Sequence, residues 1–215
     1  MRAQLDSADV LVIDDGSTDG TGASVDAIAA SDPQVALIQR GAKFGLGSAY
    51  VAGFRRALEQ GYDLVIGMDA DFSHDPEWLP KLITAAKDHD VVIGSRYVPD
   101  GSTPDWRLLR RMISRVGNWA ARTALRLPVQ DCTSAYRCYR REAIAALDID
   151  AIKVVGYSFM IETTRQFCSA GLRIREVPIT FIDRRVGKSK MSGTILIEAA
   201  GYVLRHLFGS RDSHR

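Results

Sequence analysis

Two aspartates one residue apart, Asp69 and Asp71, directly follow the apolar run at residues 64–68. Hard cations such as Mg²⁺ and Mn²⁺ prefer carboxylate oxygens and commonly share them with the phosphates of a substrate. A cation held there offsets the negative charge of a leaving diphosphate. The alternative is a solvated turn, but the position after a buried strand favours the metal. We therefore predict that Asp69-Ala70-Asp71 holds Mg²⁺ or Mn²⁺ together with a donor diphosphate.

A second acidic pair, Asp14 and Asp15, ends the apolar run at residues 10–13. An aspartate in such a turn accepts hydrogen bonds from a base or a ribose. Capping of the next helix is the structural alternative, and it does not explain the doublet. The candidate caps are Ser17, Thr18 and Asp19.

Positive charge collects in the second half of the chain, although the net charge is only +2. Residues 107–126 contain six arginines and no acid, and residues 184–215 contain seven lysines and arginines against two acids. This distribution indicates an anionic partner. Arginine grips phosphate through two parallel hydrogen bonds, so several basic residues are candidate phosphate ligands, with a solvated surface role as the alternative. They are Arg96, Arg184, Lys188 and Lys190.

The elements that must position these groups follow from the apolar pattern. Short apolar runs, typical of buried strands, alternate with helical patterns over the first hundred residues, which predicts an α/β fold with a mostly parallel sheet flanked by helices. Ligands bind beyond the carboxyl ends of the strands in such sheets, which is where the acidic pairs and Arg96 fall. The predicted strands are residues 10–13, 35–38, 64–68 and 91–94, and the predicted helices are 21–30, 46–60 and one opened by Asp75-Pro76-Glu77.

The pattern changes after residue 100. Residues 108–127 read as an amphipathic helix with arginines along one side, and residues 195–208 as a second one. Such helices lie at anionic membrane surfaces, while packing of their apolar faces against the core is the alternative. Between them we predict a polar-aromatic stretch at 131–141, a helix at 157–168, a strand at 174–181 that contains Pro178, and a basic loop at 184–192.

Composition narrows the cellular setting. The sequence contains no apolar stretch of the roughly 20 residues that span a bilayer, and its start lacks a signal-peptide pattern. Three cysteines without a Cys-x-x-Cys pair fit a reducing compartment. We expect a cytoplasmic protein, peripheral at the inner face of the membrane.

Taken together, the motifs resemble family 2 glycosyltransferases of GT-A fold, and most nearly the dolichol- or polyprenol-phosphate mannosyltransferases. They occur in family order along nearly the whole chain. The matching segments are 12–21 (VIDDGSTDGT), 45–50 (GLGSAY), 68–74 (MDADFSH), 94–97 (GSRY), 136–142 (YRCYRRE), 156–159 (GYSF), 176–181 (EVPITF) and 187–191 (GKSKM).

The resemblance implies an inverting transfer of a hexose, mannose from GDP-mannose, to a polyprenyl or dolichyl monophosphate. It implies donor contacts from Ile13, Asp15, Arg184 and Lys190, in addition to the metal and diphosphate at Asp69-Ala70-Asp71. The implied catalytic residues are Asp69, Asp71 and Arg96. The implied ligands of the acceptor phosphate are Arg96, Arg110 and Ser114. The implied partners are a nucleotide sugar, the lipid acceptor and the membrane surface, and no nucleic acid.

Family members begin with a further strand that ends in a Pro-x-Tyr-Asn-Glu type motif. The chain starts after that point, so we expect an N-terminally truncated GT-A domain at residues 1–192 and an amphipathic helix and tail at 193–215. A truncated, catalytically inactive paralogue and a UDP-glucose-dependent polyprenyl-phosphate glucosyltransferase stay open as alternatives.

Two other classes fit less well. A phosphoacceptor receiver domain also carries acids after its strands, but it has about 120 residues and a late Lys-Pro that this chain lacks. A nucleotidyltransferase needs a Gly-rich activating loop, which is also missing.

Overall fold

The computed structural model describes residues 4, 5, 7–150, 152, 156–183 and 201. The basic loop predicted at 184–192, the helix predicted at 195–208 and the predicted domain boundary at 192/193 lie outside these residues. In chain order the elements are β1 (Val10–Asp14), α1 (Thr21–Ala29), β2 (Val35–Gln39), α2 (Leu46–Gln60), β3 (Leu64–Gly67), a 3₁₀ turn (Pro76–Trp78), α3 (Leu79–Ala85), β4 (Val91–Ser95), α4 (Leu108–Ala124), β5 (Arg137–Arg140), α5 (Arg141–Ala145), α6 (Tyr157–Ser169) and β6 (Ile174–Pro178).

The strands form two sheets rather than the single sheet that the sequence pattern predicts. Strands β1 and β2 pair in parallel, while a four-stranded sheet has the order β3-β5-β4-β6. In the larger sheet β4 and β6 are parallel, and β5 is antiparallel to both β3 and β4. The prediction of a mostly parallel arrangement therefore holds for the direction of β3, β4 and β6, but it missed the reversed strand between them.

Strand β5 escaped prediction because it lacks an apolar run. It reads Arg-Cys-Tyr-Arg, yet Arg137 is completely buried. The guanidinium of Arg137 donates to the backbone oxygens of Cys132, Ser134 and Met160 and to the hydroxyl of Thr164. These bonds replace the hydration that a buried cation loses, so a charged residue is accommodated inside the sheet.

The larger sheet is covered on both faces. Side chains alternate along a strand, so Val91 and Ile93 of β4 join one apolar cluster with residues of α2, α5 and α6. Val92, between them, joins a second cluster with Leu79 and Leu82 of α3. All five residues of β4 are buried, which makes this strand the centre of the core.

Helix α2 brings the two sheets together. A Cβ on Gly53 would lie 3.0 Å from Cδ1 of Ile13 at the end of β1. A Cβ on Gly67, at the end of β3, would lie 2.5 Å from Cε1 of Tyr50. Because residues 50 and 53 are one helical turn apart, the carboxyl ends of β1 and β3 rest against the same part of α2. The two acidic motifs therefore leave neighbouring strand ends, as predicted.

The sequence predicted the end of α2 correctly but not the cap of α1. Helix α2 spans Leu46–Gln60 as predicted, and Gly61 closes it with φ of 79°, a left-handed conformation that glycine adopts without a steric penalty. The prediction that Ser17 or Thr18 caps α1 is wrong. Helix α1 begins after Gly20 without a side-chain cap, and Asp19 accepts hydrogen bonds from the backbone N–H and hydroxyl of Thr21.

Candidate functional site

The loop that follows β3 holds Asp69 and Asp71 in a constrained turn. The backbone N–H of Asp69 donates to Nδ1 of His74 at 2.9 Å. One carboxylate oxygen of Asp71 accepts from both the backbone N–H and the hydroxyl of Ser73. Between them Phe72 has φ of 64° and is 72% exposed. A positive φ is strained for an aromatic residue, so neighbouring contacts must hold this turn in shape.

His74 is the buried anchor of that loop. Its ring stacks on Tyr136 with centroids 4.9 Å apart and meets the edge of Phe181 at 5.4 Å. Burial lowers the pKa of His74, although the neighbouring Asp69 charge acts in the opposite direction. A neutral ring that accepts a hydrogen bond at Nδ1 carries its proton on Nε2. His74 thus supports the acidic loop through its Nδ1 acceptor.

The acidic loop suits a cation that shares its ligands with a substrate. Asp69 and Asp71 are partly exposed and offer hard oxygen ligands. Among the residues that the structure describes, no group of three or more histidine, cysteine, aspartate or glutamate side chains is arranged to hold a metal. Mg²⁺ commonly binds through one or two carboxylates and completes its shell with water and phosphate oxygens. The donor set therefore fits Mg²⁺ or Mn²⁺ bound with a diphosphate.

The acidic pair after β1 divides its roles. Asp14 is buried, and its carboxylate accepts the backbone N–H of Ser17 at 3.1 Å, which stabilises the turn. Asp15 is partly exposed, lies 3.2 Å from Nε of Arg40 and accepts the backbone N–H of Gly45 at 3.0 Å. The contact of Asp15 with a donor nucleoside stays a prediction. Only Asp15 of the two presents an accessible carboxylate.

Arg96, directly after β4, is part of a buried ionic network. Its Nε and Nη2 donate to the two carboxylate oxygens of Asp131, each at 2.7 Å. Its backbone N–H donates to the same carboxylate at 3.0 Å, and Nη2 also reaches the hydroxyl of Thr133. The amide of Asn118 on α4 donates to Thr133 Oγ1 at 3.0 Å. The orientation of the Arg96 guanidinium is thereby fixed before any ligand arrives.

Asp131 stays ionised in this network. Its complete burial opposes ionisation, but the charge and hydrogen bonds of Arg96 lower the pKa of Asp131 below its ordinary value on balance. The backbone N–H groups of Gln130 and Asp131 donate to the carboxylate of Glu176 on β6. The loop that carries Asp131 is thus tied to the edge of the larger sheet.

Two residues of α4, Arg110 and Ser114, lie near Arg96. Together with Trp106 these residues are called the cationic cluster. The guanidinium of Arg110 lies over the ring of Trp106 at 4.2 Å, and that of Arg96 lies 5.5 Å from the same ring. Arg110 also pairs with Asp183 at 2.6 Å. Ser114 accepts a hydrogen bond from the hydroxyl of Tyr97 at 2.6 Å.

Two buried donors in this cluster have no partner within the described part of the chain. They are Nε1 of Trp106 and Nε of Arg110. Buried polar groups are normally hydrogen-bonded, so unpaired donors beside two guanidinium groups favour an anionic ligand.

Phe181 joins the acidic loop to the cationic cluster. Its ring contacts His74 at 5.4 Å, Trp106 at 5.5 Å and the guanidinium of Arg96 at 5.5 Å. The structure thus brings the loop of Asp69 and Asp71 close to Arg96 and, through Trp106, to Arg110. Two further predicted ligands, Arg184 and Lys190, lie outside the described residues, as does Lys188.

The position of Ile13 limits its predicted role. Its side chain packs against Gly53 of α2. The residue is nevertheless partly exposed, and a contact between Ile13 and a donor nucleoside stays a prediction.

Sequence reasoning missed several residues that shape the site. Asp131, Trp106, Tyr136 and Phe181 act through contacts between segments distant in the chain, and no local pattern indicates their partners. The Asp71-Phe72-Ser73 turn carried a usable signal, because an aspartate followed two residues later by serine is typical of a side-chain-to-backbone turn.

Helix α4 presents an apolar face that is exposed within the described part of the chain. Six large apolar side chains recur at helical spacing and are 40–71% exposed. They are Leu108, Leu109, Met112, Ile113, Val116 and Trp119. Arg110 and Ser114 lie on the opposite side of the helix, toward Trp106 and Tyr97. Packing of this face on the core, the alternative raised above, does not occur among the described residues. Within the same residues, no helix has the length and apolar character needed to cross a bilayer.

Comparison with known sequences gives a consistent result. The profile of glycosyl transferase family 2 matches residues 2–148. Over 205 residues the chain is 49% identical to the undecaprenyl-phosphate mannosyltransferase of Micrococcus luteus. The aligned region covers 95% of this chain and 84% of that protein. Over 192 residues it is 45% identical to the polyprenol monophosphomannose synthase of Mycolicibacterium smegmatis. That alignment covers 88% of this chain and 72% of the synthase.

Solved structures of glucosyl-3-phosphoglycerate synthase from Mycobacterium tuberculosis share the fold. Its complex with Mn²⁺, UDP-glucose and phosphoglyceric acid superposes with a TM-score of 0.64 at 20% identity. The matched region covers 92% of this chain and 68% of the synthase chain. Its complex with Mg²⁺ and UDP has a TM-score of 0.64 at 22% identity and covers 94% of this chain and 69% of that chain. These likenesses concern the fold alone, and they confirm the predicted GT-A-like α/β architecture.

Proposed function

The chain belongs to glycosyl transferase family 2 and is a glycosyltransferase, and we propose that it transfers mannose from GDP-mannose to a polyprenyl monophosphate. The observation that carries the proposal is the junction at Phe181, which sets an acidic, metal-competent loop beside a preformed cationic cluster. The names of the two bacterial relatives support the same sugar and the same class of lipid acceptor.

The acidic loop is the proposed donor site. Asp69 and Asp71 would hold Mg²⁺ or Mn²⁺ with the donor diphosphate, and the bound cation would supply charge neutralisation for the departing nucleoside diphosphate. The backbone at Ala70 lies between the two ligands and would contact the same diphosphate. Asp15, partly exposed at the neighbouring strand end, is the proposed contact for the nucleoside.

The cationic cluster is the proposed acceptor site. Arg96 is fixed by Asp131, and Arg110 and Ser114 reach the same region from α4. The unpaired donors Trp106 Nε1 and Arg110 Nε would complete the hydrogen bonds to a phosphate. Arg184 and Lys190 remain proposed ligands of the donor phosphates.

The acceptor itself explains why a strong general base is not required. A phosphate monoester has its second pKa near 6, so its oxygen is largely ionised at neutral pH. That oxygen attacks the anomeric carbon in line, the bond to the donor diphosphate breaks, and the anomeric configuration inverts. Arg96 and Arg110 orient the attacking phosphate, and charge stabilisation of this kind is among the largest contributions to catalysis.

The exposed apolar face of α4 supports a position at the membrane surface. Six exposed apolar side chains, flanked by the exposed Arg107 and Arg115, have the character of a helix that lies in an anionic lipid interface. Arg110 and Ser114 on the other side of α4 would then meet the phosphate of a lipid held in the same bilayer. We propose that the protein works from the inner face of the membrane.

A donor panel tests the reaction. The purified chain is incubated with polyprenyl monophosphate, Mn²⁺ and either GDP-mannose or UDP-glucose, and the lipid product is identified by mass spectrometry. We expect polyprenyl-phosphate mannose from GDP-mannose only. Product from UDP-glucose alone would contradict the donor assignment. If neither donor gives product and calorimetry detects no binding of GDP with Mn²⁺, the inactive alternative is correct.

Substitution of the acidic loop tests the metal site. Asp69→Ala and Asp71→Ala should each lower turnover at least about 100-fold, since each removes a metal ligand. Asp63→Ala, an exposed acid at the other end of β3, is the matched control and should be neutral. Near-normal activity of either loop variant would refute the metal assignment.

Flotation with liposomes tests the membrane contact. We expect binding to vesicles rich in anionic lipid at low salt, and loss of binding in Leu109→Glu/Met112→Glu, which places charge in the apolar face. Thr84→Glu on the exposed side of α3 is the control and should float like the unaltered protein. Equal flotation of both variants would exclude α4 as the contact.

A further inference from the structure

His74 is the one side chain seen to accept a hydrogen bond from the backbone of the first acidic ligand within the described residues. Its Nδ1 takes the N–H of Asp69 at 2.9 Å, and its ring is 2% exposed. The hydrogen bond spans five residues, from the first position of the loop to the residue that closes it. The loop of Asp69 and Asp71 is therefore closed by a side chain rather than by a regular backbone pairing.

The ring itself is held on two sides. Tyr136, at the entrance to β5, stacks on it at an interplanar angle of 29°, and Phe181 packs edge-on at 79°. The hydroxyl of Tyr136 donates to the backbone oxygen of Asp75, the residue after His74, at 3.0 Å. The backbones of His74 and Phe181 also form an isolated antiparallel β-bridge. His74 is thus fixed to the larger sheet independently of the loop that it supports.

The loop needs such an anchor because its middle is strained. Phe72 occupies a left-handed conformation that aromatic residues rarely adopt, and its side chain is exposed, so its own packing contributes little to keep it there. Two hydrogen bonds hold its ends: the backbone N–H of Ser73 donates to Asp71, and the backbone N–H of Asp69 donates to His74. Loss of His74 would remove the second of them and leave the Asp69 end without this support.

We propose that His74 is a positioning residue for the metal and diphosphate site, which it serves by fixing the backbone of Asp69 through Nδ1 while Tyr136 and Phe181 fix its ring. The inference rests on the proposed metal role of Asp69 and Asp71. His74 contacts neither substrate in this scheme. It sets the distance and orientation between the two carboxylates, so its loss weakens cation binding without altering the acceptor site.

Two substitutions separate the hydrogen bond from the packing. His74→Phe keeps a ring between Tyr136 and Phe181 but removes the acceptor. His74→Asn keeps an acceptor at the position of Nδ1 but removes the ring. A role in positioning predicts that the phenylalanine variant is impaired in metal binding and that the asparagine variant is partly rescued, whereas a role in packing predicts the reverse order.

The measurement is Mn²⁺ binding in the presence of GDP, followed by the electron paramagnetic resonance signal of free Mn²⁺. We expect His74→Phe to bind about 10-fold more weakly, in the range seen when groups that orient metal ligands are removed, with a near-normal thermal melting curve. His74→Asn should bind within about threefold of the unaltered protein although it melts at a lower temperature, because its side-chain oxygen still accepts the Asp69 N–H. The KM for polyprenyl phosphate should not change in either variant.

The outcomes are distinguishable. Unchanged Mn²⁺ binding in His74→Phe, or weaker binding in His74→Asn than in His74→Phe, would overturn the proposal for His74. Absence of Mn²⁺ binding in the unaltered protein would instead overturn the proposed metal site. If His74→Phe does not fold, amide hydrogen exchange of the unaltered protein decides: slow exchange at Asp69 supports the anchor, and exchange as fast as at Ala70 contradicts it.

Discussion

Two arginine–aspartate pairs lie just beyond strand ends, and they are built very differently. Arg96 and Asp131, at the end of β4, have side chains that are 7% and 0% exposed, and three hydrogen bonds from Arg96 converge on the carboxylate. Arg40 and Asp15, beyond β2 and β1, are 12% and 27% exposed and share one contact of 3.2 Å. The first pair belongs to the proposed acceptor site and the second to the proposed donor side.

The strands behind the pairs differ in the same way. Every residue of β4 is buried, whereas Asp14 alone is buried in β1. A buried ion pair is costly to break because the remaining charge has lost its hydration, while an exposed pair contributes little. The proposed acceptor side is therefore the more rigid of the two before ligands bind, and the proposed donor side has more freedom to adjust to a nucleotide.

The largest expected effect comes from breaking the buried pair. Asp131→Asn leaves the Arg96 charge uncompensated and should lower the free energy of unfolding by about 3–5 kcal/mol. Asp15→Asn is the matched change in the partly exposed pair and should cost clearly less, on the order of 1 kcal/mol. Urea unfolding followed by circular dichroism measures both. Equal losses in the two variants would mean that burial does not distinguish the pairs.

Acid titration sharpens the same contrast. Because the folded protein lowers the pKa of Asp131 below 3.8, the stability from its ionised form is fully present above the unfolded value and is lost as the pH falls through the folded value. A single such group changes the free energy of unfolding by at most about 1.4 kcal/mol per pH unit. Asp131→Asn should therefore show a shallower loss of stability below about pH 4.

Asp90 provides the control for the acid titration. Its pKa is also lowered, chiefly by the hydrogen bond from Arg173 at the surface. Asp90→Asn should change the acid slope less than Asp131→Asn, since solvent screens the exposed partner. Unfolding midpoints in urea between pH 3 and 6 give both slopes, at roughly half-unit intervals. An unchanged slope in Asp131→Asn would contradict the buried-charge explanation.

A smaller effect on acceptor binding is expected for Trp106, whose ring contacts both Arg96 and Arg110. Trp106→Phe keeps an aromatic ring under Arg110 but removes the unpaired N–H donor. One hydrogen bond to a charged group is worth about 1.5–3 kcal/mol at most, and we expect a rise of about 5-fold in the KM for polyprenyl phosphate. The KM for GDP-mannose should stay unchanged. A change confined to the KM for GDP-mannose would contradict the assignment of Trp106 to the acceptor site.

The smallest effect should come from the partly exposed pair of Arg40 and Asp15. Arg40→Lys keeps the charge beside Asp15 but loses the bond from Arg40 Nη2 to Ser48. We expect a change in stability of a few tenths of a kcal/mol and a change of less than about threefold in the affinity for GDP, measured by calorimetry. Arg96→Lys, the equivalent change in the buried pair, should be clearly more damaging to both stability and acceptor binding.

Local patterns were sufficient for the parts of the molecule in which one segment determines its own structure. The apolar runs located β1 to β4, and the place of Asp69 and Asp71 at a strand end followed from the same runs. The exposure of the α4 face, by contrast, could not be decided from its periodicity, because a core-packed helix and an interfacial helix share the same spacing.

Contacts between distant segments were beyond the reach of the sequence pattern. Arg96 and Asp131 are 35 residues apart, and Arg110 and Asp183 are 73 residues apart. Whether an arginine on such a site holds a ligand or a carboxylate depends on the sheet order, and β5 was not predicted at all. The candidate ligands could therefore be proposed from residue type and position alone, while the groups that orient them became visible only in the folded chain.

The pairing of Arg110 with Asp183 has a consequence for how an anion enters. Asp183 contacts Nη1 of Arg110 at 2.6 Å and offsets part of its charge, while Nε of Arg110 has no partner within the described residues. In the proposed acceptor site an arriving phosphate would therefore meet a partly neutralised guanidinium. Long-range attraction would then contribute less to entry, and the fit of the phosphate among Arg96, Arg110 and Ser114 would contribute more to which anions stay.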